Sequence, residues 1–130
     1  MIYITREKTM IAKAINLDYT AYIKLIKDCE QEVLQTVPAS HNRVIAEKKY
    51  ALAKSKILAM DGGECEIEVN TWIFYTAQYN LGTKKYPHMI EIIECDKVVK
   101  VCDKTVQTSA GTRPNAARIL AVSKDKARLI

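Results

Sequence analysis

The hydrophobic pattern of this chain changes period once, at Asp61-Gly62-Gly63, and that change decides what each part can become. Before it, Tyr22, Ile23, Ile26, Val33, Leu34 and Val37, then Val44, Ile45, Leu52, Ile57 and Leu58, fall mostly three or four positions apart. That spacing gathers them on one face of a helix. After it, Glu64, Glu66 and Glu68 alternate with Cys65, Ile67 and Val69, the two-residue period of a strand with one wet face. Asp18 is the expected N-cap of the first helix and Pro38 its expected end; Ser40 is expected to cap the second, over residues 41–60. The glycines supply the left-handed stop. So short a connection makes the helices antiparallel neighbours, and Ala46, Ala51, Ala53 and Ala59 let their backbones approach.

The strands follow from the same period. Residues 2–5 read as a short strand, with 9–15 as its hairpin partner or as an approach to the first helix. Residues 72–79 have strand character inside a stretch, 69–83, that carries no charge. A loop follows over 80–87; residues 88–95 and 97–102 read as a hairpin turning at Asp96. Residues 108–114 form a loop, and the segment after Pro114 reads as a strand pair or a short helix, with strands favoured. The expected fold class is α+β, one domain over residues 1–130. An antiparallel helical hairpin (17–61) is expected to be followed by an antiparallel β-sheet, the β-rich part (64–130).

Composition excludes several functions. No run of about 18 apolar residues exists, so no transmembrane helix is expected. Arg6, Glu7 and Lys8 make the start too charged for a signal-peptide core, which points to the cytoplasm. Cys29, Cys65, Cys95 and Cys102 form no C-x-x-C pair and read as buried thiols of a reducing compartment. His41 and His88 are far from any paired cysteines, so no metal or other cofactor is expected. Glu64, Glu66 and Glu68 share a face without a nearby His or Asp to complete a metal site, and read as a solvated sheet face. His88 with Cys95 or Cys102 has only generic spacing. No phosphate-loop, dinucleotide, nucleophile-elbow or zinc-protease motif occurs, and no enzymatic activity is expected.

Charge is informative by its placement. Residues 104–130 hold six basic residues and one acid, a balance of +5, and the preceding 103 residues cancel at 14 of each sign. A neutral body with a basic end suggests a localised anion site and argues against nucleic acid as a partner. Within that end, Gly111-Thr112-Arg113-Pro114-Asn115 is a loop flanked by Arg113 and Arg118, whose guanidinium forks suit phosphate and stack on aromatic faces. Trp72, Phe74, Tyr75 and Tyr79 on the uncharged strand are the candidate faces for a base. The alternative is that Trp72 and Phe74 are sheet core and that the two arginines are ordinary surface residues.

The stretch VLQTVPASHNRVIAEKKYALAKSKILAM, an apolar helix ending in a proline turn followed by Ala46, Lys49 and Ala53 at helical spacing, resembles a known hairpin. It is the one shared by phage-encoded nucleotide sponges, the anti-CBASS and Thoeris anti-defence proteins. The Thoeris type that sequesters cyclic ADP-ribose isomers appends a β-rich region to it, the order found here. The resemblance implies non-enzymatic capture of a small cyclic nucleotide, with cyclic oligonucleotides as a related ligand class. It implies self-association, as a homodimer or a hexamer assembled through the hairpins. It also implies a ligand held by Trp72 or Phe74 with Arg113 and Arg118, with Asn80 reading a polar edge and Thr112 in the arginine loop. The competing expectation is a small basic nucleic-acid-binding or protein-inhibitor accessory protein.

Overall fold

The computed structural model describes residues 9–60 and 62–123. Their elements run β1 (Met10–Asn16), α1 (Tyr19–Leu34), α2 (Asn42–Ala59), β2 (Gly63–Ile67), β3 (Trp72–Asn80), β4 (Met89–Val101), β5 (Val106–Thr108), a 3₁₀ turn (Ala116–Arg118) and β6 (Ile119–Ser123). The fold class is α+β. The six strands form one sheet in the order β2-β1-β6-β3-β4-β5.

Two parts of the expected architecture change. The sheet is mostly antiparallel, but β1 and β6 pair in parallel through Ile15↔Ala121 and Asn16↔Val122. The helices precede five of the six strands, but β1 comes before them, so they connect β1 to β2, which pair antiparallel from Met10↔Ile67 to Ala14↔Gly63. Residues 10–15 are thus sheet rather than an approach to a helix, because Met10, Ala12 and Ala14 face the core while Ile11 and Lys13 face out. The strand expected at 2–5 lies outside the described residues.

Asp18 caps α1 as its position implies, its Oδ1 accepting from the Ala21 amide at 2.7 Å. The helix ends at Leu34, before Pro38, because the Thr36 and Val37 amides both fold back onto the Val33 carbonyl at 3.0 and 2.9 Å. Ser40 does not cap α2. His41 holds the N-cap position without a side-chain cap bond, and Ser40 Oγ instead lies 3.4 Å from His41 Nδ1. The two helices pack together over Val33, Val37 and Ile45, with Lys49–Glu30 (3.1 Å) and Lys56–Glu32 (2.7 Å) pairs across them. Among the described residues no helix is long and apolar enough to cross a membrane.

The sheet curls, so β3 is covered on both faces. Ile73 and Tyr75 meet Met10, Ala12, Ala14 and Ile67 of β1 and β2. On the other face Phe74 and Ile93 meet Tyr22, Cys29, Ala53 and Ile57 of the helices. Burial on both sides accounts for the absence of charge over Ile73 to Thr76, since a charge on either face would need a partner; the uncharged residues from Gln78 to Asn80 are exposed. β4 is one strand of 13 residues, not a hairpin turning at Asp96. Asp96 and Lys97 pair directly with Ile73 and Trp72, and the Asp96 carboxylate accepts the Tyr75 hydroxyl at 2.6 Å, which holds its charge within the sheet. The reversal comes later, where the Cys102 amide donates to the Thr105 carbonyl at 2.8 Å. After Pro114 the chain makes a single 3₁₀ turn and then strand β6, the first half of the expected strand pair. Residues 124–130 lie outside the described residues.

Candidate functional site

The site begins where β6 stops accompanying β3. Their register shifts between Phe74↔Ala121 and Tyr75↔Ile119, which makes Leu120 the extra residue of a bulge. β3 continues to Asn80 paired with β4 alone, and the Thr76 carbonyl on the margin that β6 has left needs a donor. Arg118 supplies two, Nε at 3.0 Å and Nη2 at 2.7 Å. The Asn115 side chain accepts the Arg118 amide at 3.1 Å and fixes the turn that aims the arginine. Two of the five guanidinium N–H groups are thereby committed. The same side chain borders a cavity of about 530 Å³ lined with Thr76, Ala77, Gln78 and Glu91, within the size range of small-molecule sites. Glu91 reaches Lys54 of α2 at 2.7 Å, and the Gln78 side chain is exposed.

Behind Arg118 lies a chain of hydroxyls. The Tyr75 hydroxyl donates to Asp96 Oδ2 at 2.6 Å and lies 2.6 Å from Thr112 Oγ1, which lies 2.6 Å from Thr108 Oγ1. Burial, and then the bond to Asp96, push the Tyr75 phenol up to about 12, so it stays protonated at neutral pH and acts as an anchor. The Arg118 guanidinium carbon lies 5.9 Å from the Tyr75 ring centroid. An aromatic ring and an arginine of the basic end do meet. A base between them would need about 7 Å, two van der Waals thicknesses, and Tyr75 is fully buried.

Of the residues singled out from the sequence, Arg118 lines the cavity and Thr112 braces the tyrosine behind it. Phe74 is fully buried against the helices, on the face of β3 opposite Tyr75, its ring 4.6 Å from that of Tyr22, and presents no surface for a base. Trp72 is half-buried at the start of β3, beside Lys97 and Ser123, and does not line the cavity. Asn80 Oδ1 is taken by the Gly82 and His88 amides at 2.8 and 3.0 Å, so it braces a loop. Arg113 is exposed, makes no hydrogen bond or ion pair among the described residues, and does not border the cavity. The residues missed are Gln78 and Glu91; Tyr75, one of the candidate faces, is the buried neighbour of Arg118. Alternation along β3 separates Tyr75 from Phe74, but nothing local says which face the chain end reaches.

Among the described residues no three His, Cys, Asp or Glu side chains come together to hold a metal ion, and the four cysteines are free thiols. No protein family, curated protein or solved structure matches the chain, so a functional reading rests on the chemistry of this site.

Proposed function

We propose that the chain binds a small phosphate-bearing cyclic nucleotide and holds it unchanged, as the phage anti-defence sponges it resembles do, in the cytoplasm of the host cell. In this reading α1 and α2 are the antiparallel hairpin of that family. The observation that supports it is Arg118, held by two hydrogen bonds to its own sheet at the edge of a cavity of nucleotide-like size. A fork already ordered loses little entropy when it meets a phosphate. Charge-assisted hydrogen bonds contribute about 1.5–3 kcal/mol each, whereas nanomolar capture needs about 12 kcal/mol. Gln78, the Thr76 side chain and enclosure of the ligand have to supply the remainder.

The test is a panel of cyclic nucleotides mixed with the full chain, followed by thermal shift, denaturation and mass spectrometry of the released ligand. At least one nucleotide is expected to raise Tm and to be recovered with unchanged mass. Gln78→Ala is expected to shrink that rise at an unchanged ligand-free Tm. No rise across the panel removes the reading, and a ligand of altered mass makes the protein an enzyme.

A further inference from the structure

The β3–β4 hairpin ends in a braced loop that displays aromatic and cationic side chains. Leu81 N donates to the His88 carbonyl at 2.8 Å, Thr83 N to the Tyr86 carbonyl at 3.0 Å, and Tyr86 N to Thr83 Oγ1 at 3.0 Å. Asn80 ties both sides of the loop through Gly82 and His88. On this frame Tyr86 is 71% exposed; at the strand ends that carry the loop Tyr79 and Met89 are 51% and 53% exposed. Lys84 and Lys85 are exposed and form no ion pair among the described residues; Lys85 Nζ lies 5.6 Å from the Tyr86 ring centroid. Side chains displayed this way add little to the fold. Tyrosine is enriched where interfaces concentrate their binding energy, and a loop already ordered loses little freedom on docking.

The complementary surface is on the same molecule. Ile11↔Glu66 and Lys13↔Glu64 are register partners of β1 and β2, on the face turned away from buried Met10, Ala12, Ala14 and Ile67. There Ile11 is 57% exposed, Glu64, Glu66 and Glu68 are all exposed, and among the described residues of the two strands Lys13 is the one cation. The loop offers an aromatic centre with two ammonium groups; the ribbon offers an apolar centre with three carboxylates against one ammonium group.

We propose that the β3–β4 loop of one copy docks on the outer β1–β2 face of a second copy, Tyr86 against Ile11 and Lys84 with Lys85 against Glu64, Glu66 and Glu68. The contact joins two different surfaces; made reciprocally it closes a twofold dimer, and made one way it runs head to tail into rings or filaments. It does not depend on the ligand reading above. Rim charges of this kind steer association and make it salt-sensitive.

Sedimentation velocity of the full chain over a concentration series, at low and high salt, tests it. The expected result is association that salt weakens. Lys84→Glu with Lys85→Glu, and separately Glu64→Lys with Glu66→Lys, are each expected to weaken self-association at least about tenfold. An equal mixture of these two double variants is expected to associate again, because each then meets a surface of opposite sign. Tyr86→Ala is expected to weaken association while leaving its salt dependence in place. A wild-type chain that stays monomeric, double variants that associate as wild type does, or a mixture that fails to recover overturns the proposal.

Discussion

Arg118 joins fold and site in one side chain. Its fork completes the margin of β3 where β6 has left it, and its remaining N–H groups are what the cavity has for an anion. Arg118→Ala is therefore expected to cost about 1–3 kcal/mol in urea unfolding, since the Thr76 carbonyl loses both donors. Arg118→Lys keeps the charge without the planar fork and is expected to restore only part of that loss. Arg113 is the opposite case, exposed and unpaired among the described residues. Arg113→Ala is expected to leave stability within about 0.5 kcal/mol and, because Arg113 does not border the cavity, to leave ligand affinity by titration calorimetry unchanged; a loss of about tenfold would return it to the site. Tyr75 sets a pH limit. Its phenol is raised from 10.0 to about 12, so the fold favours the protonated form; this stabilisation is complete below pH 10 and is lost as pH climbs toward about 12. A Tm series across that window is expected to fall less steeply in Tyr75→Phe than in wild type.

At the scale of elements, what was legible had a local cause. Asp18 announces α1 because its carboxylate meets an amide three residues on, and Glu64 and Glu66 announce β2 because alternation needs no distant partner. Asp96 misleads for the opposite reason. An Asp-Lys pair between apolar runs has turn chemistry, and only Tyr75, 21 residues away, makes it a strand position. Asn80 misleads in the same way: a polar residue at a strand end suits a ligand edge, but its carbonyl closes the loop that follows. Asn80→Ala is expected to cost about 1–2 kcal/mol and to speed hydrogen exchange at the Gly82 and His88 amides. Ligand affinity is expected to hold, because Asn80 does not border the cavity. Reduced affinity with unchanged exchange would return it to a binding role.

At the scale of the molecule, the two-period pattern conveys the fold class but not the topology. The pairing of β1 with β6 joins Ile15 to Ala121, and neither segment carries a local mark of the other. Burial of β3 on both faces is what makes such distant pairings obligatory, since neither face is stable until the helices and the β1–β2 ribbon have both closed over it. Phe74 sits at that junction, between the sheet and Tyr22 of α1, with Tyr22 in turn donating to the Ile93 carbonyl at 3.0 Å. Core and ligand roles for Phe74 predict different things. As core, Phe74→Ala loses about 3–5 kcal/mol, a large share of the 5–15 kcal/mol or so that holds a domain together. The variant is then expected to lose near-ultraviolet circular dichroism and to unfold at much lower urea. Phe74→Leu, which keeps most of the apolar volume, is expected to retain the folded signal and to bind the ligand as wild type does. A Phe74→Ala protein with an unchanged urea midpoint and abolished binding would instead place that ring in the site, and would mean that the helices part from the sheet to admit the ligand.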